Sequence, residues 1–378
     1  MKLSPVLAAL LLCAAAPGAF AQDTSIKPEK LTIRPHISDG PHLFVLDFGM
    51  NGSSPIYVYD TKDFKLEGSI GTGSFGQMLM SPDKKTLYTA SDYLSRYTYG
   101  TVEAVIHEWD AYTLEKKREF TISPKMAQTI SQTSVLNLTS DGDFLLVQNA
   151  TPATSINVVD LKAGKDLVEI PTPGCWGDYP TLKGNAFTTI CGDGKIVKYS
   201  FTADGKVADP AKSAQIFDPD KDPIFTHGAR AGKDMIYVSY SGHLYAVDGA
   251  GDAPVVTKDF AFGEAGWAPS GNALLAYDPA AKLLFVQMHS NPSDGSHKNP
   301  AEEIWAVNLE TEKVVGRSKA NGETGIFLSG GDTPELFGID YMGGAHRYEI
   351  ANDGTGKLTL KNSSEHVAIF PTIAATDF

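Results

Sequence analysis

Short runs of alternating apolar and polar residues recur along the chain, separated by turns rich in Asp, Gly and Asn, and two phrases repeat. In the first, an apolar run ends in Asp or Asn, a polar turn follows, and a Lys opens the next run. It occurs as Val58-Tyr59-Asp60 with Lys65, Glu108-Trp109-Asp110 with Lys116 and Val158-Val159-Asp160 with Lys165. It returns as Ala246-Val247-Asp248, Ala306-Val307-Asn308 with Lys313, and a weaker Arg347-Tyr348-Glu349 with Lys357. In the second, a polar turn precedes a run: Ser81-Pro82-Asp83-Lys84-Lys85 before 86–90, Ser140-Asp141-Gly142-Asp143 before 144–148, and 278–282 before 283–288. Alternation with a period of two, in β-branched and aromatic residues, predicts strands, and the Asp and Gly supply the turn conformations between them. Helical periodicity is nearly absent.

The spacing of the repeats sets the architecture. The Asp-type markers fall at 60, 110, 160, 248 and 308; a strand at Tyr199-Phe201 with the turn Asp204-Gly205-Lys206 fills the long gap, and a last unit lies near 349. Seven units at this period predict an all-β, seven-bladed β-propeller; a β-helix needs a much shorter repeat and a sandwich rarely so many units. Strand-like ends at 30–35 and 366–373 are expected to meet in one blade and close the ring, removing the exposed edges of an open repeat.

The first 21 residues read as an address instead of structure. Lys2, an apolar run over 6–16 and Ala19-Phe20-Ala21 form a secretory signal with cleavage before Gln22; the run is too short to span a bilayer. The expected organisation is a cleaved signal at 1–21, a short arm at 22–29 and one propeller domain over 30–378, exported to the periplasm without membrane insertion. Net charge is −13, and losing Lys2 makes it −14, so the field repels nucleic acid. Export leaves Cys175 and Cys191 as an even pair in an oxidising compartment, which predicts a disulfide.

Candidate chemistry is sparse. The chain carries no HExxH, GxSxG or phosphate loop, so no catalytic, cofactor-binding or metal-ligating residue is assigned. The densest polar stretch, Met288-His289-Ser290 to Ser296-His297-Lys298, reads as a polar insertion between two strands. The DPDKD run at 218–222 lacks the glycine and distal Glu of an EF-hand loop and reads as a solvated turn. Trp176 and Trp267, each beside glycine, read as packing residues with surface anchoring as the alternative.

A set of short segments, in order along the mature chain, resembles the heavy subunit of the bacterial quinoprotein amine dehydrogenases, aromatic amine dehydrogenase more than methylamine dehydrogenase. They are the residues 147–155 (VQNATPATS), Gly174-Cys175-Trp176, 189–194 (TICGDG), Asp222-Pro223-Ile224-Phe225, 266–271 (GWAPSG), Ser296-His297-Lys298 and Glu303-Ile304-Trp305. The resemblance implies a seven-bladed propeller, the Cys175–Cys191 bond, and an α2β2 periplasmic complex. It places the tryptophan tryptophylquinone cofactor and the catalytic base in a separate small subunit, so Trp109, Trp176, Trp267 and Trp305 are not the cofactor. The implied reaction converts a primary amine to aldehyde and ammonia and passes electrons to a blue copper protein of azurin or amicyanin type. This chain would hold the small subunit and wall the amine channel, where the family places a heavy-subunit Phe from an early loop. Here that loop is Asp47-Phe48-Gly49-Met50-Asn51, making Phe48 and Met50 the substrate-channel candidates. The family's basic run after the Ser-Arg pair is reduced to Arg96. The alternative reading is a free-standing periplasmic propeller acting as a lactonase-like hydrolase or a ligand-binding protein.

Overall fold

The computed structural model describes residues 34–50 and 52–378; the expected signal peptide and arm, 1–29, lie outside the described residues. The described residues form seven antiparallel sheets, six of four strands and one of five, set as the blades of a β-propeller. Blade 2 runs from the strand Ser74–Met80 to Lys116–Ile122, blade 3 from Leu136–Leu138 to Lys165–Pro171, and blade 4 from Cys175–Pro180 to Ala211–Lys212. Blade 5 runs from Ala229–Ala231 to Val255–Ala261, blade 6 from Trp267–Pro269 to Lys313–Lys319, and blade 7 from Gly325–Leu328 to Leu358–Ser364. Blade 1 is composite: the C-terminal strand Pro371–Thr376 lies innermost against His42–Asp47, followed by Ile56–Asp60 and Leu66–Ile70.

Ring closure therefore uses the expected C-terminal strand with a different partner. Val45 pairs with Ala374 and Phe44 with Ala375, whereas residues 34–35 belong to no strand and 30–33 lie outside the described residues. His42–Asp47 is buried at every position. Leu43 and Val45 face blade 7 in one cluster, and Phe44 and Leu46 face blade 2 in another. A strand buried on both faces reads as a continuous apolar run, which an alternating pattern does not flag.

The repeated Asp is a hairpin device. Asp60 Oδ1 accepts the Lys62 N–H at 2.7 Å, Asp110 Oδ1 those of Tyr112 and Thr113 at 3.0 and 2.9 Å, and Asp160 Oδ1 that of Ala163 at 2.8 Å. Asp248 and Asn308 do the same for Ala250, and for Glu310 and Thr311. Each is the last residue of its blade's third strand, so the side chain satisfies the turn amides that the ladder leaves free. Apolar side chains of adjacent blades interdigitate in seven clusters, one per gap around the ring, including Ile190, Ile196 and Tyr237 between blades 4 and 5.

The expected disulfide is present: Cys175 and Cys191 are bonded across directly paired positions of the first two strands of blade 4. With the two cysteines 16 positions apart, the loop-closure model gives about 3 kcal/mol. Replacing both by Ser should lower the melting temperature of the mature chain. Thiol labelling of the denatured, unreduced protein should find no free sulfhydryl, and two labelled cysteines would contradict the bond.

Candidate functional site

The topology gives the ring two unlike ends. Connections from the second to the third strand of each blade, and from one blade to the next, emerge on one end, here called the front face; the remaining hairpins emerge on the back face. The loop carrying Phe48 and Met50 joins the second and third strands of blade 1 and so lies on the front face.

This loop is fastened at both ends. Its first residue, Asp47, is buried, and its carboxylate accepts the N–H groups of Ile369 at 3.0 Å and Phe370 at 2.8 Å. The Phe48 N–H donates to the Phe370 carbonyl at 3.0 Å, and the Phe75 N–H donates to the Gly49 carbonyl at 2.9 Å. Ser54 Oγ accepts the N–H groups of Gly49 and Gly76, each at 3.0 Å. A Cβ on Gly49 would lie 2.2 Å from the Ser53 carbonyl oxygen, so only glycine fits this turn. The loop is thus sewn to blade 2 on one side and to the link entering the C-terminal strand on the other.

Side chains follow the backbone. Phe48 is half-buried, edge-on to Phe75 with ring centroids 6.0 Å apart and 6.3 Å from Phe370, which in turn lies 4.6 Å from Tyr341. Around this aromatic group stand apolar side chains that nothing covers: Met342 is 88% exposed, Ile369 85%, Tyr97 77%, and Met50 and Tyr99 59% each. All five come from front-face connections of blades 7, 1 and 2. Exposed apolar groups gathered at one place mark an interaction surface. Arg96, in the same hairpin as Tyr97 and Tyr99, lies 5.6 Å from the Tyr99 ring centroid. Phe48 and Met50 therefore sit inside a patch whose other members, Phe75, Tyr341, Met342, Ile369 and Phe370, sequence reading did not single out. The expected closing strand at 366–373 was the signal that could have placed residues 369–370 beside the first blade.

The other flagged residues have structural partners. His289 is buried with Nε2 2.8 Å from Ser296 Oγ, and His297 stacks on Tyr240 at 4.5 Å, so the 288–298 stretch packs as an insertion. In the DPDKD run, Asp218 Oδ1 accepts the Asp220 N–H and Asp222 binds Ser241 through its N–H and Oγ. Trp176 Nε1 donates to Gln132 Oε1 at 3.1 Å. Trp267 and Trp305 lie 5.7 Å apart, with the Arg317 guanidinium 4.8 and 4.3 Å from their respective ring centroids.

Two groups were not foreseen. Ser38, His42 and Asp377 form a string, with Ser38 Oγ 3.2 Å from His42 Nε2 and His42 Nδ1 2.7 Å from Asp377 Oδ2. It resembles a hydrolytic triad, but the Ser38 N–H is directed at Glu67 Oε2, and the Asp60 carboxylate lies near Gly40 beside it. An oxyanion developing there would meet carboxylates instead of donors, the wrong sign for acyl transfer. Its evident work is closure, since Asp377 Oδ1 also accepts the His42 N–H at 2.7 Å. The second is Asp92, 1% exposed on blade 2, with one oxygen accepting from Gln128 Nε2 at 2.9 Å and the other unpartnered. Burial pushes its carboxyl up to about 6, against the smaller downward pull of Gln128. The native state thus holds a proton that the unfolded chain releases near 3.8, and stability falls as pH rises from about 4 to 6. Asp92→Asn should gain about 1–3 kcal/mol in urea unfolding above that window and nothing below it. Equal stability of the two proteins at neutral pH would show that the buried carboxylate carries no penalty.

Residues 39–376 match the model of the methylamine dehydrogenase heavy chain family. The methylamine dehydrogenase heavy chain of Methylobacillus flagellatus is 23% identical, over 99% of this chain and 98% of that one. That of Methylophilus methylotrophus is 24% identical, over 88% and 86%. Among solved structures, a protein assigned as a 6-phosphogluconolactonase from Bacteroides fragilis superposes with a TM-score of 0.59 at 13% identity, over 92% of this chain and 99% of that one. AztD from Citrobacter koseri gives 0.51 at 12%, over 89% and 97%. At these identities the structural likenesses speak for the propeller fold alone.

Proposed function

This chain belongs to the methylamine dehydrogenase heavy chain family, and from that premise we propose that it is the structural subunit of a periplasmic, tryptophan tryptophylquinone-dependent amine dehydrogenase. The observation that carries the reading is the family match across the propeller, joined to a front face whose apolar patch surrounds the Phe48 loop. The partner would be a small subunit in an α2β2 assembly, with a blue copper protein as electron acceptor and a primary amine as substrate.

The tryptophans of this chain do not fit the quinone. Trp267 and Trp305 are in contact, yet Trp305 is wholly buried, its Nε1 donates to Glu303 Oε2 at 2.6 Å, and Arg317 covers both rings. An amine could not reach the Trp305 ring, which supports a cofactor carried by the partner. This chain's share is to bind, orient and exclude water. The patch on blades 7, 1 and 2 receives the small subunit, and Phe48, held by Phe75 and Phe370, presents an aromatic edge to the amine's path beside the exposed thioether of Met50.

The purified mature chain alone should show no dye-linked oxidation of any primary amine, whereas co-expression with the small subunit should restore it. Turnover by the isolated chain, or lactone hydrolysis by it, would reject the reading. Phe48→Ala in the complex should shift relative kcat/KM between a small aliphatic and a bulky aromatic amine by about tenfold, because loss of a wall acts on substrate fit more than on chemistry. An unchanged ratio with a lowered melting point would make Phe48 a packing residue only.

A further inference from the structure

The front end of the central channel is stoppered by the link between blades 2 and 3. Ser131 Oγ donates to the Gly76 carbonyl at 2.6 Å, Gln132 Oε1 accepts from Trp176 and Thr226, and Asn272 Nδ2 reaches the Ser131 carbonyl at 2.9 Å. One short segment thereby touches blades 2, 4 and 6 and the entry to blade 5. Behind it, toward the back face, the inner strands line a solvent-open cavity of about 370 Å³, which adjoins a second of about 390 Å³. Thr133, Asn137, Gly228 and Arg230 line both.

The charge in this cavity runs against that of the protein. The chain carries a net −13, yet the lining of the axial cavity contains Arg230 and Lys84 and no Asp or Glu. Arg118, Arg317 and Arg347 each hold a carboxylate. Arg230 instead donates to the carbonyls of Pro180 and Lys233, and Lys84 Nζ to the Thr376 carbonyl at 3.1 Å. Counting five guanidinium and three ammonium hydrogens, three donors on Arg230 and two on Lys84 have no acceptor among these bonds. Burial pulls both cations below their ordinary range, outweighing the more distant field of Asp377 on Lys84 and of Tyr237, Asp234 and Asp248 on Arg230. Of the titratable groups bordering the cavity, His227, whose Nδ1 lies 2.7 Å from Thr133 Oγ1, is pulled down to about 4 by burial, and the wholly buried Asp178, bonded to Asn137 Nδ2, is pushed well above the usual carboxylate range by burial. Much of the remaining wall is apolar, with Met78, Leu136, Ile326, Leu328 and Ile373, beside the polar Tyr277 and Thr376.

We propose that this axial cavity is a binding site for a small organic carboxylate with an apolar body, its head group on Arg230 and its body against the inner strands. Arg230 supplies the planar donor pair that suits a carboxylate, and Lys84, three blades away around the ring, adds field at the rim. The size falls within the range of small-molecule sites. The site stands apart from the front-face patch, so it does not depend on the amine dehydrogenase reading.

Calorimetric titration of the purified mature chain with sodium benzoate, at ionic strength held constant with chloride, tests it, with inorganic phosphate in a parallel arm. Saturable one-to-one uptake of benzoate is expected, weakened by at least about tenfold in Arg230→Gln and only partly in Arg230→Lys. Lys84→Gln should weaken it less, and amine turnover of the complex should be unaffected by either change. Anomalous density from a brominated benzoate should lie in the axial cavity, which keeps the proposal testable should Arg230→Gln fail to fold. Absence of saturable uptake, uptake indifferent to Arg230, or uptake of phosphate alone would overturn it.

Discussion

Met342→Asp combined with Ile369→Asp should abolish co-purification of the small subunit and, with it, amine oxidation. These are the two most exposed large apolar side chains of the described residues, and both stand on the front face beside the Phe48 loop. A partner that covers them removes water from two apolar groups, and a pair of carboxylates in the same place would have to be buried without counter-charge. Interface centres of this type dominate affinity, so the expected loss is about 100- to 1,000-fold, or ~3–4 kcal/mol. Because neither residue is packed in the ring, the melting temperature of the isolated chain should not fall. Leu66→Asp with Leu360→Asp is the control: these side chains are 52% and 45% exposed on the outermost strands of blades 1 and 7. That pair should leave the complex intact. Equal weakening by the two double variants would mean that added negative charge, not the front-face patch, controls assembly.

What the sequence discloses about this molecule divides by range. The hairpin Asp residues at 60, 110, 160 and 248, with Asn308, were readable because each acts within three residues of itself, so the same chemistry had to be spelled out anew in every blade. Their period exposed the propeller. The cysteine pair was readable from the expected export and from count. His42–Asp47 was not, because a strand wedged between two blades carries apolar residues at consecutive positions and loses the alternation that marks strands. The stopper across the axis was equally hidden: Ser131 and Gln132 are ordinary polar residues until the ring brings Gly76, Trp176 and Asn272 to them. The candidate site lies between these extremes. Phe48 and Met50 were reached through family resemblance, while Phe75 joins them from the neighbouring blade, and Met342 and Ile369 join them only because the chain returns to its start after some 320 residues.

That return gives the last expected result its size. Asp47→Ala should destabilise the protein by about 2–4 kcal/mol, since it removes a charged acceptor from two part-buried amides, Ile369 and Phe370, and hydrogen bonds to charged groups contribute about 1.5–3 kcal/mol each at most. Asp47→Asn retains one carbonyl oxygen and should lose about half as much, a grading that simple loss of side-chain volume would not produce. The same amides position Ile369 and Phe370 against Phe48, so the surviving complex should also favour bulky over small amines differently from the wild type. Asp377→Ala separates the two consequences. It removes the acceptor of the His42 N–H and Nδ1 at the opposite end of the same strand pairing, on the back face, and should weaken closure without touching the substrate ratio. Urea unfolding and paired kcat/KM measurements on the three variants decide it. A substrate ratio altered by Asp377→Ala as much as by Asp47→Ala would assign the effect to general loosening of the ring, and an unaltered ratio in Asp47→Ala would detach the carboxylate from the channel altogether.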